Sequence, residues 1–112
     1  MSKQHVTIND LAAESHDRAV RKGFYNPVPS IESRLCLIHS EVSEALEAYR
    51  DDLMITVLNE RGKPEGLPSE LADIIIRVCD MACHLGIDLE HEIRIKSDYN
   101  ETRPAGHGRV RL

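Results

Sequence analysis

The sequence predicts an all-α protein, and two observations carry this prediction. Apolar residues recur at intervals of three, four and seven along most of the chain, which is the spacing of one helix face. Small polar residues that cap helix N-termini stand just before these stretches. The chain has 112 residues, enough for one hydrophobic core. We therefore expect a single domain, residues 1–112, built from four helices.

The four predicted helices follow one another with short connections, except for one longer irregular stretch. Two prolines in FYNPVPS end the first helix, and Gly86 ends the third. Residues 52–69 contain the β-favouring run MITVL and the turn-like run RGKPEG, which permit a short hairpin. The predicted helices and their caps are 8–22 after Thr7 or Asn9, 31–51 after Ser30, 70–85 after Ser69, and 89–102 after Asp88.

The apolar stripes predict which faces of the second and third helices are buried. The third helix is apolar nearly all round, and its polar residues fall within about a quarter of the helical wheel. This strip either faces water or lines a polar cleft, and the spacing leaves both open. The predicted buried stripe of the second helix is Ile31, Leu35, Ile38, Val42, Ala45, Leu46 and Tyr49, and the polar strip of the third is Glu70, Asp73, Arg77, Asp80 and His84.

Two pairs of acidic residues are the main candidates for chemistry. Glu41 and Glu44 lie three residues apart on the second helix, and Glu70 and Asp73 lie three apart on the third. This spacing places each pair on one helix face, about one turn apart. Two such helices packed together would bring four carboxylates to one point, as a hard divalent cation requires. The alternative is that the pairs lie on solvated faces, where acidic residues are common.

The charge and composition limit the classes of partner. A net charge of −5 and a pI near 5.6 argue against a binder of nucleic-acid polymers or of anionic membranes. No apolar run reaches transmembrane length, and the polar start MSKQHVTIND is unlike a signal peptide. Three cysteines in helical segments fit reduced thiols. We therefore expect a cytoplasmic protein.

A further set of polar residues lies on the fourth helix. Lys96, Asn100 and Arg103 are spaced at i, i+4 and i+7 and share one face, and His107 follows in the tail. Basic and amide donors on one face suit phosphate oxygens. The alternative is that the cations only solubilise the end of the helix and interact favourably with its dipole.

In this order the motifs resemble those of the MazG family of all-α nucleoside triphosphate pyrophosphohydrolases. The likeness rests on E-x-x-E, E-x-x-D and K-x-x-x-N-x-x-R-P, with GKPEGLPSELADIIIR, GIDLEHEI and RPAGHG around them, and covers roughly residues 34–107. The family pattern often has an additional Glu before the first motif, where this chain has Ser40. The number of metal ions therefore stays open.

The resemblance implies a fold, an activity and a set of site residues. The fold would be a four-helix MazG-like domain that forms a shared helical bundle in a homo-oligomer, as a dimer or tetramer. The activity would be hydrolysis of nucleoside or deoxynucleoside triphosphates between the α and β phosphates, in nucleotide-pool housecleaning. Mg²⁺, or Mn²⁺ as a substitute, would be held by Glu41, Glu44, Glu70 and Asp73, and the phosphates by Lys96, Asn100, Arg103 and His107.

Two other functions fit the same residues. The first alternative is a helical interaction module, such as an antitoxin-like dimer, whose carboxylates form a polar face. An enzyme of the same fold acting on a phosphoribosyl-ATP type of phosphoanhydride is the other alternative. The sequence indicates no preference for a base or a sugar, because none of its few aromatic residues is a clear stacking platform.

Overall fold

The computed structural model describes residues 7–105, which form four helices and one short hairpin. The predicted all-α class and the predicted number of helices are confirmed. None of the described helices is both long and apolar enough to cross a membrane. The elements are α1 (Ile8–Arg21), α2 (Ile31–Arg50), β1 (Val57–Leu58), β2 (Pro64–Glu65), α3 (Leu67–His84) and α4 (Leu89–Thr102).

Three helices begin at the caps that the sequence predicts. In each, a side-chain oxygen accepts a hydrogen bond from a backbone N–H of the first turn, which would otherwise lack a partner. Thr7 rather than Asn9 caps α1. The three bonds are Thr7 Oγ1 with Asp10 N at 3.0 Å, Ser30 Oγ with Ser33 N at 3.0 Å, and Asp88 Oδ1 with His91 N at 3.1 Å.

The start of α3 differs from the prediction. The helix begins at Leu67, so Ser69 is not its cap, and the Ser69 hydroxyl donates to the carbonyl of Pro64 at 3.2 Å instead. Gly66 occupies the cap position with φ of 116°, a conformation that glycine adopts without strain. The N–H of Leu67 donates to the carbonyl of Leu53 at 2.8 Å, which attaches the start of α3 to the segment before the hairpin.

Both α1 and α2 pack against α3, and both run antiparallel to it. The order of the contacts defines the direction of each helix, because residue numbers rise along α1 and α2 as they fall along the partner segment. Along α1, Asn9 contacts Asp88 and His16 contacts Asp80. Along α2, Arg34 contacts Asp80 and Glu41 contacts Arg77. The connector 23–30 returns from the end of α1 to the start of α2. A groove therefore lies between α1 and α2, with α3 as its floor.

The core of the single chain is built from small residues, and the predicted buried stripe of α2 is wrong. The α2 residues that face α3 are Arg34, Glu41, Ala45 and Ala48. The stripe residues other than Ala45 and the half-buried Ile38 are exposed, because the buried face of α2 runs through Arg34, Glu41 and the two alanines rather than along the stripe. The buried apolar residues are Ala12, Ala19, Ala45, Ala48, Cys79 and Ala82.

The α3 helix places its polar strip inward and part of its apolar face outward. Asp80 is buried, while Leu71 and Ile75 are about half exposed at 52% and 51%. Glu70, Asp73 and His84 are half-buried and Arg77 is exposed, so most of the strip, but not all of it, lies against neighbouring helices. Although α3 is apolar nearly all round, Leu71 and Ile75 show that the described part of one chain leaves some of this apolar surface uncovered.

Candidate metal centre

Three of the four predicted acidic residues come together between α2 and α3. Glu41, Glu44 and Glu70 each offer a carboxylate oxygen, and these atoms lie within 4.8 Å of one another. The antiparallel packing of α2 on α3 produces this cluster, because the helices place residues 41 and 44 beside the first turns of α3. Glu41 is buried, Glu70 is half-buried and Glu44 is exposed. We call these three residues the acidic cluster.

Asp73 lies near the acidic cluster but does not join the group of close oxygens. Its negative charge contributes to raising the pKa of both Glu44 and Glu70, so its carboxylate is within electrostatic reach of them. The side chain is half-buried and lines a cavity between α1 and α3. Its role as a fourth ligand stays a prediction.

The pKa values of two carboxyl groups in the acidic cluster are raised. A hydrogen bond with Glu41, followed by the negative charge of Glu41, raises the pKa of Glu44. Burial raises the pKa of Glu70, and the charge of Glu44 adds to this effect. Both shifts have the direction expected when like charges share a small space. A bound cation would relieve this repulsion.

Two basic residues border the acidic cluster, and the sequence did not assign them a role. Arg77 Nε donates to Glu41 Oε1 at 2.8 Å. The positive charge of Lys63, from the hairpin, lowers the pKa of Glu44 and Glu70 and so opposes the effect of the neighbouring carboxylates. The place of Arg77 in the polar strip of α3 was the feature of the sequence that could have indicated its role. Lys63 could not have been found in this way, because no local pattern predicts that the hairpin lies beside α2.

A second polar cluster lies farther along the floor of the groove, around Asp80. Arg34 Nη2 donates to Asp80 Oδ2 at 2.6 Å, Tyr25 Oη donates to Oδ1 at 2.9 Å, and His16 Nδ1 lies 2.9 Å from Oδ1. Burial alone would raise the pKa of Asp80, but the hydrogen bonds from His16, Arg34 and Tyr25 outweigh burial and lower it. The ring of His84 lies 4.6 Å from that of Tyr25.

Two cavities lie along the groove, with Phe24 of the connector lining both. The α1 cavity, between α1 and α3, has a volume of about 570 Å³ and includes Asp73 in its lining. The α2 cavity has a volume of about 290 Å³ and lies beside Arg34 and Ile38. Arg77 lines both cavities and also contacts Glu41, so both adjoin the acidic cluster.

The predicted phosphate-binding residues of α4 are exposed or half-buried and lie near Tyr99. The Lys96 ammonium is 6.0 Å from the Tyr99 ring centroid, and the Arg103 guanidinium carbon is 5.6 Å from it. Within residues 7–105, Lys96 and the Asn100 side chain make no hydrogen bond or ion pair to the acidic cluster. The chain that the structure describes does not bring these two residues to it. His107 lies outside the described residues.

The donor set of the acidic cluster fits a hard cation. All three donors are carboxylate oxygens, which are the ligands that Mg²⁺, Mn²⁺ and Ca²⁺ prefer over softer metals. Mg²⁺ retains several waters and is commonly held by only a few carboxylates together with substrate phosphates. Three carboxylates could therefore hold a hard divalent cation, and acidic side chains also cluster without one. Comparisons with protein-family models, with curated proteins and with solved structures found no match.

Proposed function

We propose that the protein is a Mg²⁺-dependent hydrolase that converts nucleoside or deoxynucleoside triphosphates to monophosphates and pyrophosphate. The observation that carries this proposal is the acidic cluster, in which three glutamates from two helices present oxygens to one point. The ordered motifs of the sequence, which resemble those of the MazG family, specify the reaction. The groove beside the cluster provides space for a substrate larger than an ion.

In the proposed site, the carboxylates of the acidic cluster and Asp73 hold the cation. A bound Mg²⁺ supplies charge neutralisation to phosphate oxygens and lowers the pKa of its bound water. The ion pair with Arg77 holds the side chain of Glu41 in one orientation, because its Nε–H fixes Oε1 at 2.8 Å. Lys63 offsets part of the negative charge of the carboxylates and thereby favours approach of an anionic substrate.

We also propose that the chain assembles into a dimer or tetramer through the exposed apolar faces of α2 and α3. Five large α2 residues are exposed at 47–60%, and two on α3 are about half exposed. Large exposed apolar residues in such number are typical of an interface. A neighbouring copy would cover it, forming the shared bundle, and would bring a second α4 with its basic face into the assembly. The five α2 residues are Ile31, Leu35, Val42, Leu46 and Tyr49.

The products of an incubation with a dNTP mixture and Mg²⁺ test the reaction. We expect dNMP and pyrophosphate without dNDP, resolved by ion-exchange chromatography. Glu44→Gln should lower kcat by orders of magnitude, whereas Glu47→Gln should leave it nearly unchanged, because Glu47 is exposed and lies farther round α2. Primary formation of dNDP and orthophosphate would refute the proposed cleavage position.

The same experiment separates the alternatives. An interaction module without catalysis would release no pyrophosphate from any nucleotide. Faster turnover of a phosphoribosyl-ATP substrate than of every nucleoside triphosphate would assign the fold to that reaction instead. Equal losses in Glu44→Gln and Glu47→Gln would contradict the placement of the active site at the acidic cluster.

A further inference from the structure

The α1 cavity is lined by polar residues that the proposed reaction has not used. Ser15 and Arg18 of α1 and Lys22, the residue that follows α1, are spaced at i, i+3 and i+7, and all three line this cavity. Asp73 lines it from α3. Since the charge of Asp73 is also felt by Glu44 and Glu70, the cavity opens beside the acidic cluster.

The balance of charge in this cavity favours an anion. Asp80 is neutralised by its ion pair with Arg34 at 2.6 Å, and in the proposed function Asp73 is neutralised by the cation. Two cations on the α1 side of the cavity then remain, Arg18 and Lys22. Arg18 is only loosely paired, at 3.6 Å from Glu14, and Lys22 has no ion pair or hydrogen bond of its ammonium among the residues that the structure describes.

A buried hydroxyl gives an independent indication of a ligand. Ser15 is 2% exposed, and its Oγ has no hydrogen-bond partner in the described part of the chain. A buried polar group without a partner disfavours the folded state, so such groups are uncommon. A ligand oxygen in the cavity would accept the hydrogen bond that this hydroxyl can donate.

We propose that the α1 cavity binds the terminal phosphates of the substrate, which leave as pyrophosphate. Arg18 and Lys22 neutralise the phosphate charge, and Ser15 donates a hydrogen bond to a phosphate oxygen. The identification of the anion rests on the proposed function. It gives each protomer a set of phosphate-binding residues on its own α1, in addition to those expected from α4.

Calorimetric titration of inorganic pyrophosphate into the full-length protein, with and without Mg²⁺, tests this proposal. Lys22→Ala and Arg18→Ala should each weaken binding at least about tenfold, because each removes a charge-assisted contact. Arg21→Ala is the matched control. It removes the same charge from the same helix, but Arg21 pairs with Asp17 at 2.9 Å and does not line the cavity.

Ser15→Ala gives a second measurement that separates binding from folding. It removes an unpartnered buried hydroxyl, so the free protein should melt no lower than the wild type, while pyrophosphate should raise its Tm less. A lower Tm in the free protein with an unchanged pyrophosphate effect would indicate a purely structural role and overturn the assignment of Ser15.

The outcomes distinguish this inference from the proposed function. If no nucleotide is hydrolysed but pyrophosphate binding falls in Lys22→Ala and Arg18→Ala alone, the anion site stands and the proposed reaction fails. If nucleotides are hydrolysed but Lys22→Ala, Arg18→Ala and the control Arg21→Ala bind pyrophosphate equally, the reaction stands and the anion site is refuted. A wild-type protein that does not bind pyrophosphate at all also overturns the anion site.

Discussion

Replacing Glu44 with glutamine should change the stability of the free protein and of the cation-bound protein in opposite directions. In the free protein, the oxygens of Glu44, Glu41 and Glu70 lie within 4.8 Å of one another. At about that separation two unit charges repel by about 0.9 kcal/mol at the dielectric of water and about 3.5 kcal/mol at an effective dielectric of about 20. Because Glu44 is exposed, the lower value applies.

The sign follows from the pKa of Glu44, which its neighbours raise. A carboxylic acid with a raised pKa in the folded state destabilises that state as the pH rises through its pKa. At mildly alkaline pH, Glu44→Gln should therefore stabilise the free protein by about 1 kcal/mol. This corresponds to an increase of roughly 4 °C in Tm for a domain of this size.

In the presence of the cation, the same substitution should remove stability. A ligand at about a hundred times its Kd stabilises the native state by about 2.7 kcal/mol, or roughly 10 °C here. Glu44→Gln removes a charged ligand, so most of this rise should disappear. Differential scanning calorimetry with and without Mg²⁺ measures both effects, and Glu47→Gln provides the control. A free Glu44→Gln protein that melts lower than wild type and keeps the full Mg²⁺ effect would refute the reasoning.

Three further outcomes are expected. Asp80→Asn should destabilise the protein by about 3–5 kcal/mol at neutral pH in denaturant titration, because it leaves the buried Arg34 without its counter-charge. The pKa of Asp80 is lowered in the folded state, so the wild type keeps this stability above about pH 4 and loses it as the pH falls through the lowered pKa. The stability of Asp80→Asn should vary less with pH in that window. Leu46→Glu should shift the mass found by light scattering toward a monomer, and an unchanged mass would exclude this face as the interface. Lys96→Ala and Arg103→Ala should each lower kcat/KM at least about tenfold with little change in Tm, because a charge-assisted phosphate contact is worth more than an exposed charge; wild-type kinetics in both would remove α4 from the site.

The sequence predicted those features of the fold that depend on neighbouring residues. Thr7, Ser30 and Asp88 cap their helices as expected, because capping involves residues only three positions apart. The start of α3 was missed, because the hydrogen bond from the N–H of Leu67 to the carbonyl of Leu53 joins residues that are distant in sequence. The composition of residues 52–69 permitted a hairpin, but it did not predict that the hairpin would lie next to the acidic cluster.

The candidate site was predictable as a set of residues but not as an arrangement. Helical spacing placed Glu41 and Glu44 on one side of α2, but it could not tell whether that side is buried or solvated. The structure buries Glu41, and Arg77 supplies its counter-charge. Periodicity finds an apolar face but cannot tell whether the same chain or another one covers it. For this reason the exposure of Val42 and Leu46 was not foreseen.

The two ion pairs between α2 and α3 have a consequence for the alignment of these helices. Alanines make up much of the α2 surface that meets α3, and small, similar side chains distinguish poorly between one position and the next. Sliding α2 by one turn, about 5.4 Å, would exchange one alanine for another at modest cost. The same slide would separate Arg34 from Asp80 and Glu41 from Arg77, leaving the buried charges of Arg34, Asp80 and Glu41 without partners. The two ion pairs thus fix the register of α2 against α3, and this is the register in which Glu44 lies opposite Glu70.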